Sequence, residues 1–385
     1  MSADLARWVA ARRVLFVQAT EPAAYPPLIH ASMLMAEAGW DVTFLSAPIA
    51  GESLVLSAHP RIAVRAIPAR PSHVMSKANY LRYTAAAAGL ALRLRPDVVY
   101  ASDPLGAGPG LLAARLARAQ LVYHEHDSPA PNALRPWLAR LRRAAARAAR
   151  LVVFPNEARA RIAQAELGFR DEALRIVWNV PLLAELPARV PTPAEPLLLY
   201  YHGNISPSLL PEAVVRAMQK FGGRVRLRIA GYEAPGARGY VARLQGLGAL
   251  SGGERLVEYI GQISRDRLLA EAAKAHIGLA LMPRGSTDVN MHHMTGASNK
   301  AFDYMAAGLP LLVSDLPDWQ EMFVAPGYAR ACDPADAESI AGALGWFLDN
   351  PEGRNVMAAR GREKIETGWN YDAMFAPMME ALSRG

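Results

Sequence analysis

Residues 295–318, TGASNKAFDYMAAGLPLLVSDLPD, could bind an anion beside a pair of opposite charges, Lys300 and Asp303. Small residues lead there into a helical pattern that ends at Gly308, a residue suited to a left-handed C-cap. Such a loop presents backbone N–H groups at the positive end of a helix dipole, which stabilises an anion such as a diphosphate. The amides predicted to bind it belong to Gly296, Ala297, Ser298 and Asn299.

A second polar cluster, His124-Glu125-His126-Asp127, follows the short apolar run 121–123. Asp127 could orient the imidazole of His126. Because His124 and His126 alternate on a strand, one of them could be a packed core residue. His-x-His can also be a metal pair, which would need further ligands from distant residues. The residues alone leave a binding site, a core role and a metal-dependent hydrolase built on His124, His126 and Asp127 open.

Apolar runs alternate with helical patterns in the first half of the chain, which predicts a βαβ series and a parallel sheet. The predicted strands are 13–18, 41–46, 62–66, 97–101, 121–123, 151–154 and 175–177, and the helices are 27–38, 78–94, 134–150 and one ending at Ala117. Loops at the carboxyl ends of such strands line the ligand crevice, so residues 20–27 should face it. The run Gly106 to Gly110 lacks the dinucleotide fingerprint, and we interpret it as tight strand-to-helix packing.

Prolines crowd residues 181–196, which predicts an interdomain linker over 182–196. A second βαβ series follows this linker. Its predicted strands are 197–202, 225–230, 256–260, 277–282 and 311–313, and its helices are 211–221, 239–249, 265–275, 337–348 and 351–366. The chain therefore reads as two α/β domains, over 1–181 and 197–368, and a last helix in 369–385.

The run KAFDYMAAGLP from Lys300 to Pro310 resembles the K-x-F-E/D-Y-M-A-A-G-x-P segment of retaining, GT-B-fold glycosyltransferases of family 4, which bind a nucleotide-sugar donor. The resemblance implies that Asp303 holds the ribose hydroxyls of the nucleotide. Tyr123 to Asp127 is similar to the Tyr-x-x-His-Asp segment on the family's acceptor side, which implies that His126 lies by the sugar and the leaving phosphate. Asn179 falls in a segment like those that close the family's first domain.

Two positions depart from the family pattern. After the first strand of the second domain the family often has Gly-Arg and then Lys, which bind the donor diphosphate. This chain has Gly203 and Asn204 there, which the resemblance places at the donor diphosphate, but it has no cation through residue 210. Thr295 replaces a glutamate eight residues before the ribose-binding acid. Retaining transfer requires a stabilised leaving diphosphate and a well-placed acceptor, with no obligatory protein nucleophile. The groups expected to stabilise the negative charge of the leaving diphosphate are Arg284, Lys300, the loop amides and Arg265.

The composition bounds the class of protein. A chain of 385 residues is longer than a single domain with one hydrophobic core usually is, so two domains of roughly 150 to 200 residues are expected. The formal charge of +7 favours phosphate-rich partners, but no zinc-finger or aromatic RNA-binding motif accompanies it, so nucleic acid is not expected. The single cysteine, Cys332, agrees with a reducing compartment. No stretch resembles a membrane helix or a signal peptide, which predicts a cytoplasmic protein.

The predicted helix over residues 134–150 is amphipathic and basic. Its apolar side consists of Trp137, Leu138 and Leu141, and its arginines are Arg140, Arg142, Arg143, Arg147 and Arg150. Helices of this kind bind anionic membrane surfaces, so a peripheral contact with the inner face of the membrane is one interpretation. A solvated face on an alanine-rich helix is the other.

Together these observations predict a GT-B fold, two Rossmann-like doubly wound domains facing each other across a cleft, with the last helix crossing back to the first domain. By resemblance, the second domain binds a UDP- or GDP-sugar and the first binds an acceptor, which could be lipid-linked. The expected activity is metal-independent, cofactor-free retaining hexosyl transfer in glycan, polysaccharide or glycolipid synthesis. A catalytically silent nucleotide-sugar-binding protein is the alternative, since the diphosphate cations and the glutamate are missing.

Overall fold

A computed structural model describes residues 11–47, 58–67, 76–130, 133–250, 253–286 and 288–384. The chain divides into two compact units, each built on a parallel sheet. The first unit comprises Met1–Trp178 and Asp372–Gly385, and the second comprises Asn179–Tyr371. The predicted pair of α/β domains is therefore present.

The first unit contains a seven-stranded sheet in the order β3-β2-β1-β4-β5-β6-β7. Its strands are β1 (Arg13–Val17), β2 (Asp41–Ser46), β3 (Ile62–Ala66), β4 (Val98–Ser102), β5 (Gln120–His124), β6 (Leu151–Phe154) and β7 (Leu174–Ile176). Its helices are α1 (Pro26–Glu37), α2 (Lys77–Leu94), α3 (Asp103–Ala117), α4 (Pro136–Ala148) and α5 (Glu157–Leu167). The central strands are buried on both faces because helices cover them, as their continuous apolar runs predict.

The glycine run lies inside α3 rather than before it, and it allows close packing. A Cβ at Gly106 would stand 2.6 Å from the carbonyl oxygen of Val17 in β1. A Cβ at Gly108 would stand 2.5 Å from the Tyr80 hydroxyl of α2. At Gly106 the neighbour is backbone, so a side chain there would force helix and strand apart, whereas at Gly108 the ends of neighbouring side chains would have to shift. The packing interpretation of this run is thus confirmed.

The second unit contains a six-stranded sheet in the order β10-β9-β8-β11-β12-β13. Its strands are β8 (Leu197–Ile205), β9 (Val225–Glu233), β10 (Val257–Tyr259), β11 (Ile277–Ala280), β12 (Leu311–Ser314) and β13 (Ala329–Cys332). Its helices are α6 (Glu212–Gln219), α7 (Tyr240–Leu247), α8 (Arg265–Ala272), α9 (Val289–His292), α10 (Asn299–Ala306), α11 (Pro317–Trp319), α12 (Ala337–Asp349) and α13 (Pro351–Thr367). The order reverses between β8 and β11, the kind of switch point where open α/β sheets bind ligands.

The predicted linker packs with the second unit rather than standing between the units. The backbone N–H of Asn179 donates to the carbonyl of Gly296 at 2.8 Å, and Glu185 pairs with Arg265 at 2.6 Å. The backbone N–H of Tyr371 donates to the Pro181 carbonyl. These bonds explain why the unit boundary lies after Trp178, three residues before the predicted one.

The last helix, α14 (Tyr371–Ser383), packs almost entirely with the first unit. Arg12 donates to the carbonyls of Leu382 and Ser383, and Arg150 donates to the carbonyl of Ala381. Cations therefore satisfy carbonyls at the C-terminal end of this helix, where the helix dipole also favours them. None of the described helices is long and apolar enough to cross a bilayer.

The apolar side of α4 faces inward, which agrees with the second interpretation of this helix, a solvated face on an alanine-rich helix. Leu138 is buried, the ring of Trp137 lies 4.9 Å from that of Tyr80, and Leu141 packs at Gly108. No apolar face of α4 is therefore left for a membrane, and the solvated part of this helix offers only charge.

Candidate functional site

The key helix of the second unit, α10, is fixed against the sheet by a tyrosine. The ring of Tyr304 lies where a side chain at Gly278 of β11 would stand, so only glycine fits there. The Tyr304 hydroxyl accepts the backbone N–H of His202 in β8 at 3.0 Å. The helix is thereby held over the switch point between β8 and β11. Lys300 in its first turn and Asp303 one turn later lie next to the carboxyl end of β8.

The carboxylate of Asp303 is only 1 % exposed and is surrounded by donors. Arg265 donates to Oδ1 at 2.9 Å and to Oδ2 at 3.2 Å, and Asn299 donates to Oδ2 at 2.9 Å. The Nε2 atom of His202 lies 3.4 Å from Oδ2. Burial lowers the pKa of His202, with further lowering by Lys300 and Arg265, so this imidazole is neutral. Asp303 is therefore the centre of a buried polar cluster.

Arg265 joins this cluster to the segment that was predicted to be a linker. Its Nε and Nη2 atoms donate to the two carboxylate oxygens of Glu185 at 2.6 and 2.9 Å. Although burial opposes the charge, the carboxylates of Asp303 and Glu185 raise the pKa of Arg265 above its ordinary value. Glu185, His202 and the role of Arg265 at Asp303 were missed from sequence. The available signal was a cation at the first position of α8, where it opposes the helix dipole.

Lys300 is buried at the carboxyl end of β8. Its Nζ lies 5.6 Å from the ring centroid of Tyr201, and a Cβ at Gly203 would be 3.5 Å from Nζ. Burial lowers the pKa of Lys300 to about 8, while Asp303 partly opposes this shift. The structure therefore places a desolvated ammonium beside the strand end that was predicted to approach a diphosphate. A cation over an aromatic face adds only a modest stabilisation.

Gly203 and Asn204 continue β8 rather than opening a loop. Gly203 has φ 102°, and a side chain at its neighbour Gly231 would collide with the Gly203 carbonyl. The carbonyl of Asn204 accepts a hydrogen bond from the Tyr201 hydroxyl. The two glycines therefore let the ends of β8 and β9 approach closely beside Lys300.

The loop before α10 is built around one carbonyl. The N–H groups of Ala297 and Ser298 both donate to the Met294 oxygen, at 3.0 and 2.8 Å. Two of the four amides expected to bind an anion are thus occupied, because the loop closes as a turn. Asn179 also fixes this loop, because its Nδ2 donates to the Ala297 carbonyl at 2.6 Å. Ser298 contributes a buried hydroxyl with no hydrogen-bond partner among the described residues.

Two further predicted positions have partners of their own. Arg284 donates to Asp333 at 2.6 Å, because both residues follow strands, β11 and β13, that end at the same edge of the sheet. A contact of Arg284 with diphosphate would require this pair to open. Thr295, which stands where the family has a glutamate, donates to Asp318 at 2.8 Å.

In the first unit, the rings of His124 and His126 are tilted by 42° to each other, with centroids 3.8 Å apart. His124 is fully buried, and its Nδ1 lies 2.7 Å from the Tyr100 hydroxyl, so this residue belongs to the core. The ring of Tyr25 lies 5.4 Å from that of His126. Burial lowers the pKa of His126 to about 3, so its imidazole is neutral, and neither ring nitrogen has a hydrogen-bond partner among the described residues. Such a buried polar group is suited to a ligand.

The structure corrects the expected orientation of His126 by Asp127. The Asp127 carboxylate is mostly exposed and lies 3.5 Å from Nη1 of Arg159, which also binds the His126 carbonyl. Asp103 holds His126 instead, because its Oδ1 accepts the His126 backbone N–H at 2.9 Å. Asp103 has φ 58°, a strained conformation of the kind that is common at functional sites. Burial, with Asp127 and Glu125, raises its pKa to about 8.

The metal interpretation of the histidine pair lacks a ligand set. Within the part of the chain that the structure describes, no group of three or more His, Cys, Asp or Glu side chains could hold a metal ion. His124 already bonds Tyr100, and Asp127 faces Arg159. The hydrolase alternative therefore has no support from the described residues.

Two family models match the chain. Residues 30–179 match a glycosyl transferase 4-like domain, and residues 210–380 match a glycosyl transferase-like domain. The chain belongs to the family 4 (group 1) glycosyltransferases. None of the curated proteins matches it by sequence.

Solved structures show the same fold. A sucrose-phosphate synthase from Thermosynechococcus elongatus has 17 % identity and a TM-score of 0.69, covering 97 % of this chain and 98 % of that chain. Anabaena HepE in complex with UDP and glucose has 16 % identity and a TM-score of 0.71, covering 97 % of this chain and 100 % of that chain. A UDP-N-acetylglucosamine 2-epimerase has 14 % identity and a TM-score of 0.57, covering 91 % of both chains. At these identities the likeness establishes the GT-B fold of this glycosyltransferase.

Proposed function

We propose that this glycosyltransferase transfers a hexosyl group from a UDP- or GDP-sugar to an acceptor hydroxyl with retention of configuration, in glycan, polysaccharide or glycolipid synthesis. The observation that carries the proposal is the buried Lys300 ammonium beside Gly203. A desolvated cation at a strand end stabilises charge far better than one in water, because no solvent has to reorganise. Its partner would be the donor diphosphate.

In the proposed reaction the bond from the anomeric carbon to the diphosphate breaks while the bond to the acceptor oxygen forms on the same face. The acceptor proton leaves with the diphosphate, so no protein nucleophile is required. With a pKa of about 8, Lys300 is mostly protonated at neutral pH and can offset the developing negative charge. We therefore expect transfer to continue in the presence of a chelator.

The first unit would bind the sugar and the acceptor through His126. A neutral imidazole with two buried nitrogens can both donate to and accept from sugar hydroxyls. Asp103 would fix the backbone of His126 in this position through its 2.9 Å hydrogen bond. A cytoplasmic location remains a prediction from the sequence.

A thermal-shift series with UDP, GDP, ADP and their sugars tests the donor assignment. We expect one nucleotide diphosphate and its sugar to raise the unfolding temperature, since binding to the folded state alone stabilises it. The responding sugar donor is then supplied with an extract of candidate acceptors, and release of the diphosphate is followed. Absence of a response to all three nucleotides would contradict the proposal.

A catalytically silent nucleotide-sugar-binding protein is the second candidate. It is favoured by Thr295, which stands where the family has a glutamate and pairs with Asp318, and by Arg284, a cation expected to replace the missing ones, which pairs with Asp333. The distinguishing result is tight donor binding with no turnover of donor on addition of any acceptor.

We predict that Asp303→Asn weakens binding of nucleoside and nucleoside diphosphate to the same extent. If Asp303 accepts two ribose hydroxyls, the loss should be about 1.5 to 3 kcal/mol, because hydrogen bonds to a charged group are involved. Ribose is common to both ligands, so their affinity ratio should not change. Calorimetry on the folded variant measures both affinities.

Glu185→Gln is the matched control for this prediction. It removes a charge from the same cluster while leaving Asp303 and its bonds to Arg265 in place. If both variants bind nucleoside as the parent does, Asp303 has a purely structural role and the ribose contact is excluded.

A separate prediction concerns His126→Ala. Because His126 lies in the unit that does not hold Lys300, the variant should lower the rate of transfer by about 100-fold or more while free-nucleotide affinity stays within twofold, typical of a lost transition-state contact. His124→Phe serves as the control for the contact between the two rings. If His126→Ala lowers the rate and the nucleotide affinity to the same extent, His126 does not contact the sugar and the acceptor as proposed.

A further inference from the structure

Three helices of the first unit, α2, α3 and α4, form one continuous layer. Gly108 of α3 lies between neighbours on both sides, since a Cβ there would stand 2.5 Å from the Tyr80 hydroxyl of α2 and 2.8 Å from Leu141 Cδ1 of α4. Tyr80 and Trp137 also meet across α3, with ring centroids 4.9 Å apart. The outward sides of the three helices therefore make a single surface, which we call the outer helical face.

The outer helical face is basic and almost without acids. The three helices contain one acidic residue, Asp103, and its carboxylate is turned to the backbone of His126. Their exposed basic residues are Lys77, Arg82, Arg93, Arg115, Arg140, Arg143 and Arg147. The next helix, α5, differs because it carries Glu157 and Glu166, both exposed at their side chains. The uniform positive charge thus ends at α4.

Large apolar side chains stand among these charges. Leu81 and Leu92 of α2 are 69 % and 57 % exposed, and Leu112 and Leu116 of α3 are 39 % and 43 % exposed. On α2 the two leucines lie on one side of the helix, because residues 81, 85, 89 and 92 repeat at helical spacing. The distance between them along the axis is about 16 Å, from a rise of about 1.5 Å per residue.

We infer that the outer helical face docks on the surface of an anionic lipid bilayer. Exposed leucines would enter the boundary between headgroups and acyl chains, while arginines and Lys77 would pair with lipid phosphates. Charge complementarity selects this occupant, because a surface with many cations and one inward-facing acid matches a continuous sheet of negative headgroups. The helix α4 contributes charge alone, since its apolar side packs inside the unit; the leucines come from α2 and α3.

Vesicle sedimentation of the full chain tests this inference. We expect binding to vesicles of phosphatidylcholine with phosphatidylglycerol, no binding to phosphatidylcholine alone, and release when the salt is raised to about 1 M, where the Debye length falls to about 3 Å. Failure of the parent protein to sediment with the anionic vesicles would overturn the inference.

Paired variants show which residues are responsible. Leu81→Ser with Leu92→Ser should reduce the partition coefficient by about tenfold or more, whereas Ile162→Ser on α5, which is 45 % exposed in the parent, should leave it unchanged. Arg93→Gln or Arg115→Gln should each reduce it by about fivefold, while Arg161→Gln, whose arginine pairs with Glu157, should not. Equal losses in the α5 controls would overturn the assignment to this face.

Light scattering separates lipid docking from self-association. The parent and the Leu81→Ser, Leu92→Ser variant are expected to have the same particle mass in solution. Conversion of a dimer to a monomer by this variant would assign the outer helical face to a second copy of the chain and overturn the lipid inference. Unchanged thermal unfolding of each variant shows that loss of sedimentation does not reflect loss of fold.

Discussion

Arg142→Met is expected to lower the free energy of unfolding of the first unit by about 3 to 5 kcal/mol, the effect of breaking a buried ion pair. Arg142 and Glu125 are both fully buried, and Arg142 donates from Nε and Nη2 to the two carboxylate oxygens of Glu125 at 2.7 Å each. Tyr123 donates to the same carboxylate at 2.6 Å. Removal of the guanidinium would leave Glu125 as a desolvated charge without its main partner.

Denaturant unfolding measures this effect, and the neighbouring Arg143→Met is the matched control. Arg143 is exposed, so its replacement should change stability by less than about 0.5 kcal/mol. The double replacement Glu125→Leu with Arg142→Met should recover much of the loss, because an apolar pair of similar volume leaves no buried charge. If the two single arginine variants are equally stable, the buried pair does not hold α4 in place.

This pair also shows how the arginines of α4 differ. Arg142 was grouped with the other arginines by residue type, although position 142 lies one helical turn after the buried Leu138 and therefore on the inward side of the helix. Its acceptor, Glu125, lies 17 residues away on a strand end. Only the packing of α4 across β5 brings the two together. The alternation of strands and helices was predictable, in contrast, because the spacing of apolar residues within each segment indicates whether it is a strand or a helix.

The same limit applies to the cluster around Asp303. The helix α10 and its C-terminal Gly308 follow from local signals, and the family segment pointed to Asp303 and Lys300. Glu185 and Arg265 are 80 residues apart, and no local pattern connects them. A proline-rich stretch predicted a linker, yet its glutamate is bound to the site. Contacts between segments that are distant in sequence depend on the order of the strands in the sheet. This order could not be predicted from local sequence patterns.

Lys300→Met is expected to stabilise the second unit and to weaken diphosphate binding. Lys300 is 7 % exposed, and burial lowers its pKa from 10.5 to about 8. A shift of this size corresponds to a penalty of about 3 kcal/mol on the folded state at neutral pH. Methionine has a similar length without the charge. The free energy of unfolding at pH 7 should therefore rise by up to about 3 kcal/mol.

The pH dependence has a definite sign. Below pH about 8 the lysine is protonated in both the folded and unfolded states, so the folded state bears the full penalty. Between pH 8 and 10.5 the unfolded state binds more protons, and stability rises with pH. The advantage of Lys300→Met over the parent should therefore be largest at pH 7 and should decline through this window. An advantage that is independent of pH would show that the ammonium is not desolvated.

Ligand binding then shows whether the penalty serves function. If Lys300 contacts the diphosphate, Lys300→Met should weaken nucleoside diphosphate binding by about 10- to 100-fold, the effect of a charge-assisted hydrogen bond, and leave nucleoside binding unchanged. The parent's diphosphate affinity should decrease above pH about 8 as the lysine loses its proton, and the variant's should not. Lys274→Met, at an exposed lysine paired with Glu271, is the control for removal of a positive charge. If the variant keeps the parent's ratio of diphosphate to nucleoside affinity, Lys300 at the end of β8 does not bind the donor diphosphate. The alternative of a catalytically silent nucleotide-sugar-binding protein would then gain support.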